Sequence, residues 1–172
     1  MQHHYQATLQ QGIDFLRQLS PAQYIAVTSA AISPIGSHVR HILDHFNSVQ
    51  RAAHTRLVDY ELRQRGSAIE LDLHQAITTM QQLQNWVVQL TASELEKSVL
   101  VQADIGIGSS KIVQVPSTMG RELMFCCSHA IHHYSSLKSI YQALGGQSAD
   151  SFDWHRPPLV FSEVWHVDIK LA

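Results

Sequence analysis

The sequence is short of cysteine, of charge and of long apolar runs. Of its 172 residues only two are cysteines, Cys126 and Cys127, and they are neighbours. Adjacent positions on a helix point about 100° apart, so the two thiols cannot close a normal disulfide with each other. No other cysteine can staple the fold, and a cytoplasmic setting is the expectation. Charged residues make up 15% of the chain, and the net charge is −2 with neutral histidines. The basic residues are scattered apart from a small cluster at Arg63 and Arg65. Nucleic-acid binding needs a concentrated basic face, so it is not expected. No apolar run approaches the roughly 18 residues of a membrane span. The opening "MQHHYQATLQ" has no basic stretch leading into an apolar one, so no signal peptide is expected.

Two things are plentiful. Hydrophobic residues are 45% of the chain, enough for one domain over 1–172 to bury a core without staples. Histidine occurs 12 times, as often as lysine and arginine together.

Apolar spacing predicts four long helices. Leu9, Ile13, Leu16 and Leu19 form the first stripe, which Pro21 closes. The stretch "AQYIAVTSAAIS" reads as an irregular connection. Ser33 as N-cap and Pro34 as first helical residue open a second helix, with Val39, Ile42, Phe46, Val49 and Ala53 on its apolar face. It runs to about Arg65, and Gly66 stops it. A third helix covers about 69–91. "SVLVQADIGIGSSKIVQV" holds two β-branched runs around a Gly- and Ser-containing turn, a small hairpin that ends at Pro116. Ser117 or Thr118 then caps a last helix over about 118–144, stopped by Gly145 and Gly146. The expected class is all-α: a four-helix bundle with a hairpin insertion before the last long helix. The aromatic tail, with Phe152, Trp154, Leu159, Val160, Phe161 and Trp165, reads as an irregular cover or as a homodimer surface.

The histidines fall in two groups. On the last helix His129 and His133 are spaced i, i+4, so both rings reach one side of the helix, while His132 points elsewhere. On the second helix His41 and His45 repeat that spacing, with His38 three residues before His41. Metallohydrolase helices use the i, i+4 device to bind zinc. Two facing helices can bring three imidazoles around one ion with a position left for water, the layout of a reactive site. The competing reading is a half-buried polar seam in which the rings bond backbone or carboxylates.

"SPIGSHVRHILDHF" followed by "PSTMGRELMFCCSHAIHHYSSL" resembles the DinB-like (DinB/YfiT) metalloenzyme superfamily. The resemblance implies a four-helix bundle with one metal held by a histidine of the second helix and an HxxxH pair of a later one. Those positions fall on His41, His129 and His133, with His38 and His45 as alternatives if the register shifts by a turn. It also implies thiol-dependent transferase or hydrolase chemistry on a small molecule, such as transfer of a low-molecular-weight thiol onto an electrophile. The ion expected is a divalent transition metal, zinc or nickel first, then iron or manganese. The alternative is a non-catalytic stress-related binding or scaffold protein whose metal ties two helices together.

Other residues have two readings each. Glu122 lies on the His129 side of its helix two turns earlier, where a carboxylate can orient an imidazole or a water, or merely favour the helix dipole. Cys126 is expected to be a plain buried cysteine rather than a thiolate ligand. Asp44 is either an imidazole partner or solvated. "DYELRQR" resembles a segment from one branch of the same superfamily, which would place Tyr60, Arg63 and Arg65 on an anionic substrate group. A charged helix end is the competing reading there.

Overall fold

The structure, a computed structural model, describes residues 2–28, 33–62 and 64–147. Arg63 and the aromatic tail lie outside the described residues. The elements in chain order are α1 (Gln2–Leu16), α2 (Pro21–Ile25), α3 (Ile35–Thr55), β1 (Leu57–Asp59), α4 (Ala68–Leu71), α5 (Leu73–Gln89), α6 (Ala92–Leu95), β2 (Ser98–Asp104), β3 (Ile112–Thr118) and α7 (Met119–Ala143). The fold is mostly helical with one small sheet. No helix among the described residues is long and apolar enough to cross a membrane.

The four long helices share one core. α1 packs on α5 and α7, and α3 packs on the same two. The expected stripes supply it: Leu9, Ile13 and Leu16 from α1, Val39, Ile42, Phe46 and Val49 from α3, Met80, Leu83 and Val87 from α5, and Leu123, Ala130, Tyr134 and Leu137 from α7 are buried together. Polar ties fix α1 against α7. Tyr5 donates to the Gly120 carbonyl at 3.0 Å and Tyr134 to the Thr8 carbonyl at 2.9 Å. Each tyrosine thus buries its ring and satisfies its hydroxyl on the neighbouring backbone.

Local chemistry redraws several expected boundaries. Pro21 opens a helix as well as ending a stripe: Ser20 and Gln23 form a reciprocal capping box around α2. Pro34, not Ser33, is the N-cap of α3, and no side chain caps it. The helix expected to reach Arg65 stops at Thr55. Arg56 adopts a left-handed conformation (φ 62°) and its N–H bonds to the Ala52 carbonyl, which turns the chain out of the helix. The residues beyond it become β1, where Val58 is fully buried opposite Val101. The third expected helix splits at Asp72, whose carboxylate accepts from the His74 and Gln75 N–H groups to start α5. Thr118 caps α7 as expected, accepting from the Arg121 N–H.

The expected hairpin is present as β2 and β3, antiparallel with Val101 opposite Val115, and β1 adds in parallel on the other side of β2. Pro116 sits inside β3 rather than after it. Its partner is Leu100, whose N–H turns the other way to the Arg56 carbonyl at 2.9 Å. In an antiparallel ladder opposed residues either exchange both bonds or both face away. Pro116 therefore presents its missing N–H to the free edge, and the ladder loses nothing.

Gly36, in the first turn of α3, holds α4 in place by lacking a side chain. A Cβ there would run into the Glu70 backbone carbonyl. Just beyond it, buried Arg40 joins the two helices, donating from Nη1 to Asp44 at 2.8 Å and from Nε to Glu70 at 2.7 Å. Asp44 is thus committed to a guanidinium on its own helix. Gly36→Ala should force α4 off the start of α3 and lower the unfolding free energy by about 1–3 kcal/mol, the usual range for overpacking. A urea unfolding midpoint equal to the wild type would refute the close contact.

Candidate metal centre

α3 and α7 bring the two histidine groups together. Among the described residues, His38, His41 and His45 of α3 and His129 and His133 of α7 form one connected row of rings. Ring centroids are 4.6 Å apart for His41–His45, 4.9 Å for His41–His129, 5.0 Å for His41–His133, 4.4 Å for His45–His129 and 4.5 Å for His129–His133. His38 joins at the far end, 5.4 Å from His133. All are half-buried, closed by the core on one side and reached by solvent on the other. His132, next to His133 in sequence, is exposed.

The nitrogens face inward. The Nε2 atoms of His41 and His129 are 3.0 Å apart, although 88 residues separate them in sequence. One ligand nitrogen from each of His41, His45 and His129 lies within 4.8 Å of the other two. Imidazole nitrogens about 2.0–2.1 Å from one zinc ion in tetrahedral geometry stand about 3.3 Å from each other. The donor set therefore fits a transition ion. His45 is fixed in a useful tautomer. Its Nδ1 lies 2.9 Å from the His41 carbonyl, which can only accept, so Nδ1 carries the proton and Nε2 keeps its lone pair.

Of the expected ligands, His41 and His129 are thus in this tight group, and His133 lies outside it although its ring touches both of theirs. His45, which the sequence offered as an alternative, is the third member. The signal for it was present in the His41/His45 spacing. What the sequence hid was which side of α3 turns toward α7.

The cluster lowers its own basicity. Burial, then the neighbouring His45, His129, His133 and Arg40, pushes His41 down to about 3. Burial followed by His45, His133 and His132 brings His129 to about 4, and burial followed by His38, His132 and His45 brings His133 to about 4. Burial lowers His38 as well. Neutral imidazoles with free lone pairs are therefore the rule near pH 7.

An aromatic wall closes one end. Tyr60, delivered by β1, stacks on His45 at 4.9 Å, and Phe125 stacks on His129 at 5.7 Å. Ser48 anchors β1 to α3 by donating to the Asp59 carbonyl at 2.6 Å. Glu122 lies fully buried behind this wall (0% exposed). It accepts from the Tyr60 hydroxyl at 2.6 Å, from Ser117 at 2.5 Å and from Arg121 at 2.6 Å. Its link to the imidazoles runs through the Tyr60 ring. Burial first, then Cys126 and Glu122, raises the Tyr60 phenol, so it stays a donor. Cys126 is buried, and that burial raises its thiol well above the ordinary value, so it is no thiolate at neutral pH. Arg65 is exposed.

The fold has a counterpart among solved structures. A DinB-like protein from Bacillus subtilis, YjoA, superposes with a TM-score of 0.61 over 86% of this chain and 93% of that one. The fold is DinB-like. Sequence identity to that protein is 16%, so the DinB-like likeness concerns the fold. No protein-family model matches the chain. An "FK506-binding protein 5" from Rhizopus delemar is 33% identical over 89 residues, 52% of this chain, and the chain spans only 23% of the length of that curated relative.

The lowered histidines predict a pH dependence of the metal-free protein. Unfolded histidine titrates near 6.5, whereas folded His41, His129 and His133 do so at about 3 to 4. The unfolded chain binds more protons at these rings between those values, so their contribution to stability falls as pH drops from about 6.5 toward 4 and levels below about 3. His41→Gln should flatten that slope in thermal melts. An unchanged slope would mean that these rings are not held neutral.

Proposed function

We propose that this chain binds one divalent transition-metal ion between α3 and α7 and uses it on a small molecule. The observation that carries the reading is the 3.0 Å approach of the His41 and His129 Nε2 atoms within a set of neutral imidazoles. His41, His129 and His133 hold the ion, and His45 is within reach as a further donor. A divalent ion with only neutral ligands keeps its charge and supplies Lewis acidity to a water or thiol that reaches it. Zinc and nickel suit imidazole best, with iron or manganese as substitutes.

The remaining residues shape and orient. Half-burial of the rings leaves a way in from solvent. Tyr60 and Phe125 wall one end and exclude water from that side of the ligands. Glu122 holds the Tyr60 hydroxyl, so it acts on the site by positioning. Arg63 and Arg65 bind the substrate's anionic group in this reading, and Tyr60, whose one hydroxyl proton goes to Glu122, contributes its ring. The reaction class is thiol-dependent transfer or hydrolysis, with a low-molecular-weight thiol as the first co-substrate to try. The architecture is a single-domain four-helix bundle in the cytoplasm, without nucleic-acid or membrane partners. A second reading, a stress-related scaffold with a structural metal, draws support from His133 standing one ring from the tight three-histidine group, where a fourth nitrogen would close the coordination sphere.

Protein purified without a histidine tag should contain one metal ion per chain by elemental analysis. His41→Ala and His129→Ala should each lose most of it while the far-ultraviolet circular dichroism stays helical. Full stoichiometry in both variants would sink the site. Metal-free protein that unfolds at room temperature would favour the scaffold reading. A thiol and an electrophile, then esters and amides, form the activity panel, in which Glu122→Gln lowers turnover while metal content holds.

A homodimer completes the proposal, since the sequence carries aromatic surface in its last 25 residues beyond what a small bundle needs. Light scattering at micromolar concentration should give twice the 19.3 kDa chain mass. A monomer mass would rule the dimer out.

A further inference from the structure

The three-histidine group leaves one contact of the row unexplained. The Nδ1 atoms of His38 and His133 stand 3.2 Å apart, across the same α3–α7 seam but at its far end. His38 is absent from the tight group of His41, His45 and His129. Two imidazole nitrogens at that distance need one N–H and one lone pair between them. The direction of that bond follows from what His133 does with its other nitrogen.

Resting on the metal-binding reading above, we infer that His38 is a positioning residue for the centre: it accepts the His133 Nδ1–H and so presents the His133 Nε2 lone pair to the ion. A neutral imidazole carries a single N–H. If His133 gives Nε2 to a metal, its proton must sit on Nδ1, and the nitrogen facing that proton belongs to His38. The His133 ring lies beside the tight group though outside it, 5.0 Å from His41 and 4.5 Å from His129 by centroid, close enough for a bound ion to draw it in. Metal-bound histidines nearly always donate their second N–H to an outer acceptor, which fixes the tautomer and the ring plane. The same device operates at the other end of the row, where His45 gives its Nδ1–H to the His41 carbonyl.

The two ends differ in a way that matters. The His45 acceptor is backbone and cannot be lost by substitution. The His133 acceptor is a side chain on the opposite helix, so His133 is a good ligand only while α3 and α7 stay in register at His38. This gives the fifth histidine a task that does not require it to touch the ion. It also accounts for the i, i+3 spacing of His38 and His41: one ring serves the ion, and its neighbour on the preceding turn serves the ligand across the seam.

The test uses full-length protein loaded with zinc or cobalt. Zinc affinity is read by competition with a chromophoric chelator, and ligand geometry by the cobalt visible spectrum. His38→Ala should weaken zinc about 10–100-fold, the usual cost of losing such an acceptor, and shift the cobalt bands, with one ion per chain retained. His38→Gln, whose carbonyl can accept the same proton, should restore most of the affinity and the spectrum. In long-range proton–nitrogen spectra of the zinc form, His133 should carry its proton on Nδ1. Wild-type affinity and spectrum in His38→Ala would overturn the inference, as would a metal on His133 Nδ1. Two ions per wild-type chain, falling to one in His38→Ala, would overturn it too, because His38 would then be a ligand. A wild-type chain that binds no ion would refute the metal-binding reading itself and this inference with it. If His38→Ala does not fold, His38→Gln and His38→Phe decide between acceptor and mere bulk.

Discussion

The contact between α3 and α7 is what every feature of the candidate centre depends on. His41 and His129 are 88 residues apart in sequence, yet their Nε2 atoms meet at 3.0 Å. That meeting requires the apolar faces of both helices to be buried first. Val39, Ile42 and Phe46 on one, and Leu123, Cys126 and Ala130 on the other, lie in the shared core. The histidines occupy the positions bordering those faces, so core burial brings them together. Half-burial then holds them neutral, and neutral imidazoles are what a divalent ion binds.

The sequence made the helical stripes legible, because apolar residues at i, i+3 and i+4 have one good solution. It also made the histidine pairs legible, since i, i+4 spacing puts both rings on one side whatever that side faces. Which pair member leads was not legible. His38, His41 and His45 share one side of α3 and differ mainly in height along it, and the seating of that helix depends on Arg40 reaching Glu70 and on Gly36 admitting the Glu70 carbonyl. These are long-range contacts with no local signature. The early end of α3 was hidden for a similar reason. Arg56 takes a left-handed conformation that glycine usually supplies, and the strand pairing of Val58 with Val101 compensates.

Glu122 shows how far a residue's role can differ from the role its spacing suggests. Its position two turns from His129 on the same helix made it a candidate to touch the ligands directly. It is instead enclosed by Tyr60, Ser117 and Arg121, donors from the β1 end, β3 and α7. A buried carboxylate with three donors is well satisfied, and removing it would orphan them together. The sheet thereby becomes part of the centre's support, since β1 brings Tyr60 and β3 brings Ser117 to the same carboxylate.

The outward-facing proline of β3 bears on how copies of this chain can meet. An open sheet edge is a template on which another strand can lay its own hydrogen bonds. Here exposed Ile112 and Val115 would make that edge adhesive. Pro116 interrupts it: an incoming strand would find no donor at that rung, and a pyrrolidine ring in its path. Among the described residues the sheet ends at three strands, and Pro116 makes its outer edge a poor template for a strand of another chain.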